Sequence, residues 1–415
     1  MNQSIGLIIL QFFGIALGLF SVFFVAGSIP AQVYAVVGVY GVMSTITLVF
    51  SNTGFETYAI RNILAWQEKQ EIAKIKLIVT QAIIFRTLMA IIVFIPLIVY
   101  AMYMSSSKFN GQYLVLFLLM GLLSIFSAIN DAVVLILKSF NMYFFAALAT
   151  YSVNVFGKLI ALLLFFRFGF NVYIYSIILL PLFVTLPIVF MIRRWISLEG
   201  VFYKENVLAC FKNSKSFALS SYVSYVYSSL DQLLVSFFLS AEILGSFTIG
   251  KNLLNIGKGF IENIFDPMLQ GLIRYRNNLS IIREKFKSVL KVRNILLIIS
   301  IILIPIIIIF VDQALSLLRL NRYPFLNYFV VFIYLSQIAH IGMKVKYNYI
   351  CLFFPQSYYL KLIAISGLLL ISSFAVIILI DAKFLFLHVL FSNLIMILYS
   401  RKLFNKINNP INNTI

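Results

Sequence analysis

From Leu77 to Met104 the chain reads LIVTQAIIFRTLMAIIVFIPLIVYAMYM, 28 residues in which Arg86 is the single charge. A helix rises about 1.5 Å per residue, so about 20 apolar residues cross the hydrocarbon core of a bilayer, and this stretch is long enough with turns to spare. The same pattern, broken by clusters of charge, Pro or Asn, predicts twelve spans, at 5–27, 32–55, 77–104, 112–137, 143–166, 171–192, 216–239, 242–270, 293–313, 326–349, 358–380 and 383–403. Composition agrees: the 415 residues are 62% hydrophobic and 11% charged, with a mean hydropathy of +1.02, whereas soluble domains run about 45–50% apolar and about 25% charged. The expected fold class is an all-α polytopic membrane protein. Twelve spans leave too little chain for a separate soluble domain, so function must sit on the helices themselves.

The net charge is +19, from 32 Lys and Arg against 13 Asp and Glu. In a soluble protein this would suggest nucleic acid. Here it first reports topology, because cytoplasmic loops are enriched in Lys and Arg. Twenty-three basic residues fall on the side of the N-terminus and five on the other (Lys108, Arg167, Arg319, Arg322, Lys383), which predicts cytoplasmic termini and no nucleic-acid partner. Lys344 and Lys346 are counted here as flanking the loop after the tenth span. The block Ile5–Ala26 has no preceding basic residue and no small-residue cleavage site, so it reads as a retained span rather than a signal peptide. Cys210 and Cys351 stand in no metal-ligand spacing.

The polar connection Arg193–Lys215 divides the chain into two six-span halves, 1–203 and 204–415. At an offset of 210, Ile29-Pro30-Ala31-Gln32-Val33 aligns with Leu239-Ser240-Ala241-Glu242-Ile243, and Phe55-Glu56 with Phe265-Asp266. Internal repeats of this kind are common in secondary transporters, with the substrate site between them. Between Arg274 and Arg293, apolar Leu279, Ile282, Phe286 and Val289 alternate with Arg283, Lys285, Lys287 and Lys291. That pattern suits an amphipathic helix on the anionic inner leaflet, or simply an orientation signal.

Four cations lie inside spans: Arg86, Lys158, Lys251 and Lys258. Lys251, Asn255, Lys258 and Glu262 recur at i, i+4, i+7 and i+11, hence on one helical face. Ser220, Ser224, Ser228 and Asp231 form a second stripe, and Tyr151, Asn154 and Lys158 a third. A lysine at the bilayer centre costs roughly 2.5–3.5 kcal/mol, so these faces must meet a cavity or a partner helix. The expectation is one water-filled chamber with excess positive charge and an anionic ligand. The competing reading is that Asp231 pairs with a lysine and merely joins two helices.

Other chemistries find little support. Gly245–Asn252 reads G-x4-G-K-N, but a P-loop needs Ser or Thr after the lysine and a strand before the glycine. Its small residues, with Gly257 and Gly259, fit close helix packing. His340 and His388 lie in different spans without HExxH, so no metal or cofactor is expected. His340 reads as a helix-contact residue. Tyr222, Tyr225 and Tyr227 would suit sugar stacking, but anchoring of helices is the better account.

Asp231-Gln232-Leu233-Leu234, Phe238-Leu239-Ser240, Leu244-Gly245 and Asp266-Pro267 resemble the start of the second half in bacterial O-antigen and capsular polysaccharide flippases. Gly54-Phe55-Glu56 followed by Arg61 resembles the end of their second span, although Ala35 stands where that family often has glycine. The family is a branch of the multidrug/oligosaccharidyl-lipid/polysaccharide exporter superfamily. The resemblance implies twelve helices in two six-helix bundles around a V-shaped cationic cavity, as in multidrug and toxin extrusion proteins. It further implies a bacterial inner-membrane flippase that turns undecaprenyl-diphosphate-linked oligosaccharide from the cytoplasmic to the outer leaflet by ion-coupled alternating access. Its expected partners are a polysaccharide polymerase and a chain-length regulator. On this reading Arg86, Lys158, Lys251 and Lys258, with Asn154 and Asn255, hold the diphosphate head, and Asp231 and Glu262 couple the ion.

Two rivals are weighed. A multidrug exporter of the same fold takes organic cations, which an excess of buried lysine disfavours. A membrane polymerase or ligase carries a large outer loop, whereas the longest outer connections here, near 104–112 and 313–326, run only about a dozen residues.

Overall fold

Apolar stretches with few breakers leave the backbone one way to satisfy its hydrogen bonds without water, and helix is the outcome throughout. The computed structural model describes residues 2–140, 142–151, 157–273, 279–353 and 356–408. Among them lie sixteen α-helices and no strand. These are α1 (Asn2–Ser28), α2 (Ala31–Phe50), α3 (Phe55–Glu68), α4 (Ile72–Lys108), α5 (Leu114–Ser139), α6 (Tyr143–Tyr151), α7 (Gly157–Phe168) and α8 (Phe170–Ile192). The second part of the chain adds α9 (Lys204–Ser228), α10 (Leu230–Phe238), α11 (Ala241–Ile273), α12 (Leu279–Ile302), α13 (Ile304–Leu317), α14 (Leu326–Phe353), α15 (Gln356–Ile380) and α16 (Leu387–Asn408).

Among the described residues each expected span falls largely on helix: 216–239 and 293–313 lie on the broken pairs α9–α10 and α12–α13, 143–166 on α6 and α7 with 152–156 outside the described residues, 32–55 runs into the break before α3, and 383–403 begins in the turn before α16. Among the described residues α2, α4, α5, α8 and α14 are each long and apolar enough to cross a membrane, and α12–α13 passes as a pair bent by 53°. The chain is a multi-pass helical membrane protein.

The chain separates into two units. One comprises residues 1–225 and 236–241, the other 226–235 and 242–415. The division therefore falls inside α9–α10 rather than at the Arg193–Lys215 connection, because most of α9 packs with the first half. The 210-residue offset survives in one place: α2 begins at Ala31 and α11 at Ala241. It fails at the next, since α2 breaks before Phe55 while α11 runs unbroken past Phe265.

In the first unit α5 is central, packing on α2, α3, α4, α6 and α8. Phe55 and Ile63 of α3, Ile78 and Val79 of α4, Val133 and Leu137 of α5 and Ile188 of α8 share one buried cluster. In the second unit α14 packs on α12, α13, α15 and α16. There Phe286 and Val289 of α12 are buried with Phe265 and Leu269 of α11 and Ile341 and Val345 of α14. This corrects the surface-helix expectation for 274–293: the apolar stripe of α12 faces protein, not lipid headgroups, while Lys287 and Lys291 point outward. Arg274 and Arg276 lie outside the described residues. Small-residue packing holds for Gly250, where a Cβ would sit 2.6 Å from Phe386, and for Gly257, 2.7 Å from Gln337, but Gly259 faces open space.

Candidate functional site: buried ion clusters and a polar pocket

In the first unit the break between α2 and α3 sets up the chemistry. The Gly54 N–H donates to Asn52 Oδ1 at 2.8 Å, and Gly54 itself adopts φ +77°, a conformation glycine reaches without penalty. A Cβ there would lie 2.5 Å from the Ser214 carbonyl of α9. Asn52 also donates to Ser221 Oγ at 3.1 Å and its carbonyl accepts from Tyr222 at 3.2 Å, while Tyr222 and Tyr225 pack on Phe50. These two tyrosines are therefore structural, as the sequence suggested.

This turn places Glu56 in the first turn of α3, where the helix dipole favours an anion. Arg86 of α4 reaches it: Nη1 donates to Glu56 Oε1 at 3.3 Å and Nη2 to Asp131 Oδ2 of α5 at 2.9 Å. The Arg86 and Glu56 side chains are fully buried, whereas that of Asp131 is 46% exposed. Arg86 is thus not the unpaired cation expected from the sequence but the bridge of a carboxylate–guanidinium–carboxylate trio. Arg86 Nε and Glu56 Oε2 have no hydrogen-bond partner among the described residues.

The open side of Asp131 faces a pocket of about 330 Å³. Tyr40 and Ser44 of α2, Ser127 and Asn130 of α5, Thr150 of α6 and Lys158 of α7 line it, with apolar walls from Leu48, Val134, Ile177, Leu180 and Pro181. Tyr40 is hydrogen-bonded to Ser127, and Asn130 Oδ1 is buried without a partner. Among the described residues Lys158 has no carboxylate in ion-pair range, and its Nζ reaches the space that Gly18 of α1 leaves open. A lysine, a half-open carboxylate, hydroxyls and an unpartnered amide oxygen between apolar walls suit a polar, hydroxyl-rich ligand that carries negative charge.

The second unit holds a different arrangement. Lys251 Nζ donates to both carboxylate oxygens of Asp231, at 2.8 and 2.6 Å. His388 Nε2 lies 3.2 Å from Asp231 Oδ2, and its Nδ1 meets the Leu385 carbonyl. Asp231 further accepts the Gln232 N–H at 2.8 Å. Asp231 is thus paired with a lysine, and the pair joins α10 to α11. Lower in the same unit, Lys344 Nζ pairs with Glu262 Oε1 at 2.9 Å. Lys344, read from sequence as a loop residue, is buried at 7% exposure because α14 extends well beyond it. Lys258 lies close to both Lys344 and Glu262. His340 is buried with neither ring nitrogen hydrogen-bonded. The α11 stripe does not share one environment: Lys251 is buried and Asn255 exposed.

The sequence-derived site therefore distributes as follows. Arg86 and Lys158 belong to the first unit, Lys251, Lys258, Asn255, Asp231 and Glu262 to the second. Asn154 lies outside the described residues, as do the side chains of Tyr151, Ser220, Ser224 and Ser228. Among the described residues Arg86, Lys251, Lys344, Glu56 and Asp231 are buried, while Lys158, Lys258, Asp131 and Glu262 are half-buried, so five cations stand against four carboxylates and the large positive excess inferred from sequence shrinks to near balance. Sequence reasoning missed Glu56, Asp131, Lys344 and His388 as partners. Ser127, Asn130, Asp131 and Val134 recur at i, i+3, i+4 and i+7, the spacing that marks one helix face, and would have disclosed the pocket.

Residues 2–270 match the family described as polysaccharide biosynthesis protein. No curated protein matches the sequence. Among solved structures the chain is similar to the inward-facing conformation of a multidrug resistance MATE family transporter of the MOP superfamily, at 14% identity over 95% of each chain with a TM-score of 0.67. It is similar also to an outward-facing conformation of such a transporter, at 14% identity over 98% of this chain and 95% of that one, TM-score 0.61. A MATE crystal structure in complex with MaL6 shares 14% identity over 97% and 96%, TM-score 0.60. The family match takes in well over half of the 415 residues, and the structural likeness extends along nearly the whole chain. The chain belongs to the polysaccharide biosynthesis protein family and is built on the fold of MOP-superfamily transporters.

Proposed function

We propose that the protein is a flippase for a lipid-linked oligosaccharide, moving an undecaprenyl-diphosphate-linked repeat unit such as an O-antigen unit from the cytoplasmic to the outer leaflet by alternating access. The observation that carries this reading is the pocket of the first unit, where Lys158 stands, among the described residues, without an ion-pair partner beside hydroxyl and amide groups. Such a set attracts a phosphate oxygen and matches sugar hydroxyls at once. Family membership supports it. Lys158 is the anion anchor in this reading and Lys258 a second one, while Arg86 and Lys251 position carboxylates rather than ligand. To Asp231 and Glu262, the coupling carboxylates of the sequence pattern, this reading adds Asp131, which is paired with Arg86 yet half-exposed to the pocket. The protein is a transporter rather than an enzyme in this account, and a polymerase and a chain-length regulator would act on its product.

Its home is the bacterial cytoplasmic membrane with both termini inside. Moving Lys344 into the bundle leaves the basic-residue asymmetry large. Phosphatase fusions at Lys204 and at the C-terminus should be inactive, and activity at either reverses the topology.

One observation favours a second reading, a multidrug exporter: with the buried charges near balance, Asp131 facing a pocket would also suit an organic cation. Deleting the gene separates the two. Loss of surface polysaccharide with unchanged drug susceptibility is expected; increased drug susceptibility with intact polysaccharide contradicts the flippase.

A further inference from the structure

Pro305 stands at the start of α13, where it removes a backbone donor and its ring crowds the preceding turn, and α12 and α13 meet there at 53°. Beside this bend, wholly within the second unit, lies a slot of about 680 Å³ between α12–α13, α14 and α16. Each wall contributes one cation: Arg293 from α12, Lys346 from α14 and Arg401 from α16. Arg293 and Arg401 both lie close enough to act electrostatically on Lys346. The Arg293 guanidinium hydrogen-bonds the neutral Asn294 side chain at 2.8 and 3.1 Å, and among the described residues no Asp or Glu lines the slot.

From that basic end the lining turns apolar on all three walls. Lys346 to Leu335, Arg401 to Leu390 and Arg293 to Ile304 each span eleven residues, about 16 Å of helix. On α14 the lining positions Leu335, Ile338, Ala339, Gly342 and Lys346 fall on one face, and Gly342 lets Ile397 of α16 close the floor, since a Cβ there would lie 3.2 Å from its Cδ1. The slot is thus charged at one end and hydrocarbon-like along its length.

We propose that this slot is a binding site for an anionic membrane phospholipid, with the phosphate held by Arg293, Lys346 and Arg401 and one acyl chain lying along the apolar wall. A soluble anion would need only the basic end. A zwitterionic or neutral lipid would bring no net negative charge to a site where three cations converge. Cytoplasmic-side basic pockets between membrane helices follow the same physics. The site is independent of the substrate pocket of the first unit, so it stands whatever that pocket transports.

The test uses the full-length protein, purified in detergent and stripped of lipid. It is titrated with phosphatidylglycerol, with phosphatidylcholine of the same chains and with inorganic phosphate. Melting temperature and lipid retained in native mass spectrometry are the readouts. Phosphatidylglycerol should bind about tenfold or more tightly than phosphatidylcholine and raise the melting temperature, with inorganic phosphate inert. The R293Q/K346Q/R401Q variant should lose this preference. Gly342→Leu, which fills the slot and keeps the cations, should lose it too, whereas K287Q/K291Q on the exposed face of α12 should keep it. Equal binding of the two lipids by the unmodified protein overturns the proposal even if a variant fails to fold. Retention of the preference in R293Q/K346Q/R401Q also overturns it, and an equal shift with inorganic phosphate alone would make this an adventitious anion site.

Discussion

The Lys251 ammonium sits 2.6 Å from Asp231 Oδ2, linking α11 to the short helix α10 in a setting where both side chains are almost wholly buried. Removing one partner of such a pair strands the other charge, at a cost of about 3–5 kcal/mol. Asp231→Ala should therefore lower expression and melting temperature sharply, and adding Lys251→Met should restore most of the loss. Thermal melts of the solubilised variants check this. A stable Asp231→Ala protein would show that the pair does not hold the unit together.

Arg86 and Lys158 are both cations of the first unit, the one buried and the other half-buried, yet they should behave oppositely. Arg86→Met leaves Glu56 and Asp131 facing one another without their bridge, so stability should fall by several kcal/mol, about the buried-pair cost. Lys158→Met removes a half-buried charge with no ion-pair partner among the described residues, so stability should hold or rise while export is lost. Melting temperature measured alongside surface polysaccharide separates the two outcomes. If Lys158→Met exports normally, the pocket is not the anion site.

Asn130 gives a sharper version of the same contrast. Its Oδ1 is buried without a partner, which costs about 1–3 kcal/mol in the empty pocket. Asn130→Leu should match or exceed the unmodified protein in stability and lose transport. A drop in stability with full transport would assign the residue to packing.

How far the sequence foretold these arrangements depends on how local each one is. Spans are legible because hydropathy is carried by contiguous residues, and among the described residues each expected span lies largely on helix. Arg86 was conspicuous as a lone charge in an apolar run, but its partners are 30 and 45 residues away, and Glu56 looked like the frayed end of a span. That Asp231 pairs with a lysine is legible in the sequence, but not that the lysine is Lys251, 20 residues on in the next helix. Nor is the contact with His388, 157 residues off. Lys344 was misread because its distance from the helix end depends on where α14 stops. Asp131 is readable on principle, since an ionisable residue inside a span is a functional candidate, but its partner Arg86 lies 45 residues away.

The Gly54 turn tests whether local backbone geometry sets up the Glu56–Arg86 contact. Gly54→Ala must hold a Cβ at φ +77° and against the Ser214 carbonyl, so a destabilisation of at least about 1–2 kcal/mol is expected from the backbone alone. Unchanged melting would mean that the turn relaxes without cost and that Glu56 is positioned by other contacts.

The central claim, that the protein moves a lipid-linked oligosaccharide and uses Lys158 to engage it, is tested most directly by reconstitution. Purified protein in liposomes would be given an undecaprenyl-diphosphate oligosaccharide in one leaflet, and its arrival in the other followed by accessibility to an added glycosidase. The account predicts protein-dependent translocation that Lys158→Met abolishes while retaining the unmodified melting temperature. Liposomes in which the folded protein leaves the oligosaccharide in its original leaflet, or in which Lys158→Met translocates it equally well, would contradict the account.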